Sequence, residues 1–236
     1  MNKNYYAFYD FESTHYIAER AQPTEIAAIM IDPVRLEIVP NSLFQSLIKP
    51  SFDKEYCAEY NLEPPTDKVL ALTHKTRNEL ENAPHVSTVF AQFVDYLHQY
   101  KTSNSQWGRP IRVGYNIHNY DDIIIRNLCS KEPYKLGYWN DDTCKDKIWH
   151  PIDSYDLMEI VGMFIEGRAD MRSKSFDNIR RWLGLESDKA HTAEVDVIQG
   201  AIVFCRFMKL IRTTSKKTKF ENALANFNVK DYMNET

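Results

Sequence analysis

YYAFYDFEST (residues 5–14) is an aromatic and apolar run that abruptly carries two carboxylates, Asp10 and Glu12. The run has the composition of a buried strand. On a strand, side chains at i and i+2 point to the same face. Two like charges side by side in partly apolar surroundings repel each other and resist desolvation. An edge strand with both acids in solvent removes that conflict, and so does a bound cation.

Working outward, PTEIAAIMID (23–32), RLEIV (35–39) and LFQSLIK (43–49) continue in strand style, broken at Pro33 and at Pro40-Asn41. Together they predict an antiparallel meander. Helical signals follow. Thr66 is placed to cap a short helix, and HVSTVFAQFVDYLHQY (85–100) puts Val86, Val89, Phe90, Phe93, Val94 and Leu97 on one face. IRVGYN (111–116) reads as a short strand and DDIIIRNLC (121–129) as a helix, with Asn119 as its expected cap. Residues 130–150 read as irregular, and PIDSYDLMEIVGMF (151–164) as a strand entering a helix. SFDNIRRWLGL (175–185) is amphipathic with Gly184 as C-cap, and TAEVDVIQGAIVFCRFMKLI (192–211) is a long apolar helix. Strands first, then helices alternating with strands, predict an α/β fold on a mixed sheet. The expected organisation is one domain over residues 1–212 and a polar tail over 213–236.

Of 236 residues, 43% are apolar and 26% charged, enough for an ordinary core. The net charge of −4 argues against coating a polyanion by charge alone. Binding nucleic acid would take a local basic surface or cations held by the protein's own acids. Cys57, Cys129, Cys144 and Cys205 are far apart and form no C-x-x-C, so reduced thiols are expected. No apolar run approaches ~18 residues and no signal-peptide core is evident, which predicts a soluble, cytoplasmic protein.

Two more stretches bear on the opening pair. In GYNIHNYDDIIIRNL (114–128) a helix opens just past a strand, leaving Asp121 to project toward the strand ends, where α/β ligand sites lie. In AHTAEVDVIQGAIVF (190–204) His191 precedes a helix and Asp196 sits among Val195, Val197 and Ile198. His191 taken alone reads equally as a surface or capping residue. A carboxylate on the apolar side of a helix is costly unless paired or bound to a cation. Asp10, Glu12, Asp121 and Asp196 offer oxygen ligands with one His and no Cys. That set suits Mg²⁺ or Mn²⁺ rather than zinc, and such cations would cancel the repulsion.

In order, D-x-E (Asp10, Glu12), an Asp after an Asn-led approach (Asp121) and H-x-x-x-x-D (His191, Asp196) resemble the DEDDh 3′→5′ exonuclease family. That family has a ribonuclease H-like (DnaQ-like) α/β fold with a mixed five-stranded sheet flanked by helices. The likeness runs over about residues 5–208. LALTHKTRNELENAPHVSTVFAQF (70–93) is similar to the family's stretch around its "TGIT" turn, keeping Thr73 and Thr76, with His74 and Lys75 in place of Gly and Ile. DFESTHYIAERAQPTEIAAI, GYNIHNYDDIIIRN and SFDNIRRWLGL look most like its bacterial exonuclease I branch.

The resemblance implies that Asp10, Glu12, Asp121 and Asp196 hold two Mg²⁺ or Mn²⁺ ions per site. It implies that His191 acts as general base, and that phosphodiester hydrolysis releases nucleoside 5′-monophosphates. Substrate contacts are expected at Phe11, Ser13, Thr14, Thr73, His74, Asn116 and Tyr120. Tyr16 and Tyr115 are further rings that either stack on bases or pack in the core. Asp153 and Asp156 read as helix caps or auxiliary acids. Arg168, Arg172, Lys174, Arg180 and Arg181 read as a phosphate-gripping strip or a solvated face, as do Lys216, Lys217 and Lys219 in the tail. The expected partner is single-stranded DNA. The alternatives are an exoribonuclease, a trimming or proofreading subunit that depends on a protein partner, and a non-catalytic nucleic-acid-binding module.

Overall fold

The computed structural model describes residues 4–140, 145–169, 171, 173–185 and 192–217. The strands are β1 (Tyr6–Ser13), β2 (Pro23–Asp32), β3 (Glu37–Ile38), β4 (Phe44–Leu47), β5 (Ile111–Gly114), β6 (Trp139–Asn140), β7 (Lys145–Asp146) and β8 (Ser154–Asp156). The helices are α1 (Lys54–Glu59), α2 (Asp67–Leu72), α3 (Arg77–Glu81), α4 (Val86–Gln99), α5 (Asp121–Ser130), α6 (Leu157–Ile165), α7 (Phe176–Leu183) and α8 (Ala193–Lys217).

β1 runs through the middle of the main sheet. It pairs antiparallel with β2, from Tyr6 opposite Ile31 to Glu12 opposite Glu25. Its other edge pairs parallel with β5, which pairs parallel with β8. The expected meander takes a different form. β3 and β4 do not form a hairpin; both lie antiparallel along β2, β3 at Ile31–Asp32 and β4 at Glu25–Ala28. Pro40 offers no amide hydrogen, and Asn41 adopts φ 58°. The chain therefore steps out of the ladder and rejoins it further along the same edge. The strands of this mixed sheet thus fill five positions, with the outermost interrupted.

Each face of the sheet is covered by helices. Ala7, Tyr9 and Phe11 point into a core built with α4 and α5, which also holds the fully buried Trp149. Tyr6 and Phe8 point the other way, into a core with Leu157, Val161, Val197, Ala201 and Phe204 of α6 and α8. Strand alternation then fixes the site. Asp10 and Glu12 continue the Tyr6–Phe8 face, so both acids emerge toward α8.

α8 can lie against β1 because residue 200 is glycine. A Cβ there would stand 2.2 Å from Cζ of Phe8. Gly200→Ala should therefore destabilise the protein by about 1–3 kcal/mol, read as a lower urea midpoint. A change within about 0.5 kcal/mol would mean that Phe8 yields freely.

Several local readings hold. Thr66 caps α2 by accepting from the Val69 amide, and Gly184 closes α7 at φ 66°. Asn119 does not cap α5. The preceding residue is Tyr120, which makes no side-chain cap, and Asn119 instead donates to Asn116 Oδ1 at 3.0 Å. β5 ends at Gly114, and Asn116 turns the chain at φ 59°. Cys57, Cys129 and Cys205 are buried free thiols, while Cys144 lies outside the described residues. α8 runs on to Lys217, and residues 218–236 lie outside the described residues. Among the described residues no helix is long and apolar enough to cross a membrane.

Candidate active site

The ends of β1 and α8 bring three acids together. Carboxylate oxygens of Asp10, Glu12 and Asp196 all lie within 4.8 Å of one another. β1 places Asp10 and Glu12 on one face. α8 buries Val197 in the core and turns the neighbouring Asp196 to the cluster. Asp121, buried at the start of α5, accepts a 2.9 Å hydrogen bond from the amide of Phe11, the residue between the two β1 acids. His191 lies outside the described residues.

Crowding has an electrostatic cost. Burial, then the charge of Asp196, pushes Asp10 up to about 8. Burial, then Asp10 and Asp196, pushes Glu12 up to about 9. Burial and Asp10 hold Asp121 well above the usual carboxylate range. In the unfolded chain these acids titrate near 4. The native state thus keeps protons that the unfolded state has released, and their contribution to stability is lost progressively as pH rises from about 4 through 8–9. In EDTA, the urea midpoint should be clearly lower at pH 9 than at pH 6. Equal midpoints would contradict this account of the cluster.

Three residues of the site were not legible as such. Glu25 of β2 lies opposite Glu12 and is 1% exposed. It is met by Lys75 Nζ at 2.8 Å, Gln45 Nε2 at 2.7 Å and the Ala193 amide at 3.4 Å. The available signal was Glu25 itself, the sole charge inside the apolar run 23–31. Lys75 comes from the turn between α2 and α3. Arg180 corrects the expected phosphate-gripping strip. It is 2% exposed and binds Asp196, Gln199 and Asp177 rather than facing solvent. Of the rest of that strip, Arg168 lies over the Trp182 ring and Lys174 faces Glu166. Arg172 lies outside the described residues.

Beside Glu12 opens a pocket of about 450 Å³, lined among others by Phe11, Ser13, Thr14, Thr73 and Tyr120. A break in register between Glu12 and Ser13 turns the strand end outward to form its wall. Thr14 fastens that turn, its hydroxyl accepting from the Gln22 amide at 3.0 Å. The Tyr120 hydroxyl bonds Ser13 Oγ and the His15 carbonyl, bracing the same wall. Tyr16 stands at the rim, 82% exposed. His74 and Asn116 do not line this pocket. His74 is exposed in the left-handed region at φ 54°, and the Asn116 amide donates to Asp156 Oδ1. Tyr115 packs on Phe176 at 4.7 Å. Asp156 caps α6 and groups with His118 and Glu159, while Asp153 faces His150.

A central strand that delivers paired acids to a third acid on a flanking helix defines an acidic site of the ribonuclease H-like exonuclease class. The chain belongs to the exonuclease (RNase_T) family, whose model matches residues 7–204.

Solved structures agree on the fold. Cell-death related nuclease 4 superposes with TM-score 0.63 at 14% identity, over 89% of this chain and 65% of that one. Exonuclease I gives 0.61 at 19% identity, over 89% and 43%. The E. coli enzyme in complex with a dA16 oligonucleotide gives 0.60 at 18%, over 89% and 43%. The chain thus spans 65% of the first of these proteins and less than half of exonuclease I. No curated protein gives a significant sequence match.

Proposed function

We propose that the protein is a 3′→5′ exonuclease that hydrolyses single-stranded DNA to nucleoside 5′-monophosphates. The observation that carries this reading is the convergence of Asp10, Glu12 and Asp196 within 4.8 Å, beside an open pocket. Three oxygen donors that repel one another fit a hard divalent cation. Asp10, Glu12, Asp121 and Asp196 would hold two such ions, Mg²⁺ or Mn²⁺. Bound there, the ions would supply Lewis acidity toward the scissile phosphate and offset its charge.

The chain's own groups do the rest. The pocket formed by Phe11, Thr14, Thr73 and Tyr120 receives the 3′-terminal nucleoside, and Tyr16 at its rim offers a ring for stacking. His191, five residues before Asp196, accepts the proton of the attacking water, a task suited to a group that titrates near neutrality. The choice of DNA draws support from the exonuclease I structures, which hold dA16 and dT13 oligonucleotides.

The test is a 5′-labelled single-stranded DNA and a matched RNA, incubated with Mg²⁺, Mn²⁺ or EDTA. The expected result is a ladder that shortens from the 3′ end, runs faster on DNA and disappears in EDTA. Faster loss of RNA would reassign the protein as an exoribonuclease. No shortening of either strand, with binding retained, would leave a binding module.

A further inference from the structure

The acidic site contains a cation of its own. Arg180 of α7 is 2% exposed, a rare situation for arginine. Its Nη2 donates to Asp196 Oδ1. Its Nε donates to Gln199 Oε1 at 2.7 Å, and its Nη1 to Asp177 Oδ1 at 2.9 Å. The guanidinium lies 4.1 Å from the centre of the Phe176 ring. Both Nη atoms and Nε are engaged, and α8 is gripped at two positions one turn apart, Asp196 and Gln199. The side chain is therefore fixed rather than free to swing into solvent.

A buried guanidinium is expensive unless its surroundings supply negative charge. Here they do, because Asp196 on the cluster side and Asp177 on its own helix both accept from it. The charge balance is local. Lys75, 11% exposed, is paired with Glu25 and does not take an oxygen of the trio. A divalent ion attracted to Asp10, Glu12 and Asp196 meets the positive charge of Arg180 on its Asp196 side, and like charges at that range oppose each other.

We propose that Arg180 is a built-in counter-cation of the acidic site. It holds Asp196 Oδ1 while no divalent cation is bound and opposes cation loading, so that loading requires Arg180 to release that oxygen. The proposal rests on reading the trio as a divalent-cation site. It makes Arg180 a positioning residue that sets the cation concentration at which the site fills.

The test is calorimetric titration of the full chain with MnCl₂ alone, in wild type, Arg180→Met and Arg180→Lys, alongside urea unfolding in EDTA. Arg180→Met should bind Mn²⁺ about tenfold more tightly. Its urea midpoint in EDTA should fall below wild type, and the gap should close with Mn²⁺. Arg180→Lys keeps the charge and should stay within about threefold of wild type. Unchanged or weaker binding by Arg180→Met would overturn the proposal, leaving Arg180 as a brace for α7 against α8.

If Arg180→Met fails to fold, the wild type decides. The NMR signal of the Asp196-bonded Arg180 Nη protons should disappear at saturating Mg²⁺, and its persistence would overturn the proposal. Wild type that binds no divalent cation would defeat the functional reading itself. Normal wild-type binding with an unaltered Arg180→Met affinity would defeat the counter-cation alone.

Discussion

Asp10→Asn is expected to lower 3′-end cleavage roughly a thousandfold or more while leaving the fold intact. Asparagine keeps the shape of the side chain and one carbonyl oxygen, but it removes the charge that would draw a divalent cation. The backbone of β1 is untouched, because residue 10 pairs with Ala27 through the main chain. Stability supplies an independent signature. In the cation-free protein Asp10 is pushed up to about 8, first by burial and then by Asp196. At pH 4 and below, the folded and the unfolded chain both largely keep this proton, so the variant should unfold near the wild-type midpoint. At pH 9 the wild type carries a charge that the variant lacks, and Asp10→Asn should be the more stable of the two. A residue with a purely structural role would lose stability at both pH values. Cleavage at the parental rate would remove Asp10 from the site.

The legible part of the molecule was the part set by short-range pattern. The apolar run around Asp10 became the central strand, and the face Val86–Leu97 of α4 went into the core. Thr66 and Gly184 capped α2 and α7 because capping needs only a local donor, acceptor or left-handed turn. Asp10, Glu12 and Asp196 were recognisable because each acid violates an apolar surrounding.

What escaped depends on contacts between distant segments. Glu25 meets Lys75 across 50 residues of chain, and Arg180 meets Asp196 from a neighbouring helix. Arg180 sits in an amphipathic segment with Arg181 beside it. Periodicity alone does not say which of the two turns inward. The placement of β3 and β4 also lies beyond local pattern. Pro40-Asn41 signals a break, but a break fits a hairpin as well as a step along one edge. The ladder with β2 decides between them.

Lys75→Met should cost about 3 kcal/mol of stability, in the range for breaking a buried ion pair by removing one partner. Side-chain exposures of 11% for Lys75 and 1% for Glu25 leave little solvent to screen the loss. Gln45 and the Ala193 amide still donate to Glu25, but neither brings a charge. An uncompensated carboxylate would then stand opposite Glu12, whose proton is already held by burial and by its acidic neighbours. The damage should reach cleavage as well. Glu25 ties β2 to Ala193, the first residue of α8, and Asp196 lies on the next turn of that helix.

The double variant Lys75→Met/Glu25→Gln separates charge from packing. It should recover most of the stability lost by Lys75→Met, because a neutral amide needs no counter-cation and can still accept from Ala193. Urea midpoints for the four members of the cycle measure the coupling directly. A cost below about 0.5 kcal/mol for Lys75→Met would place the pair with screened surface bridges. Lys75, on the Glu25 side of the acidic site, would then have no energetic role.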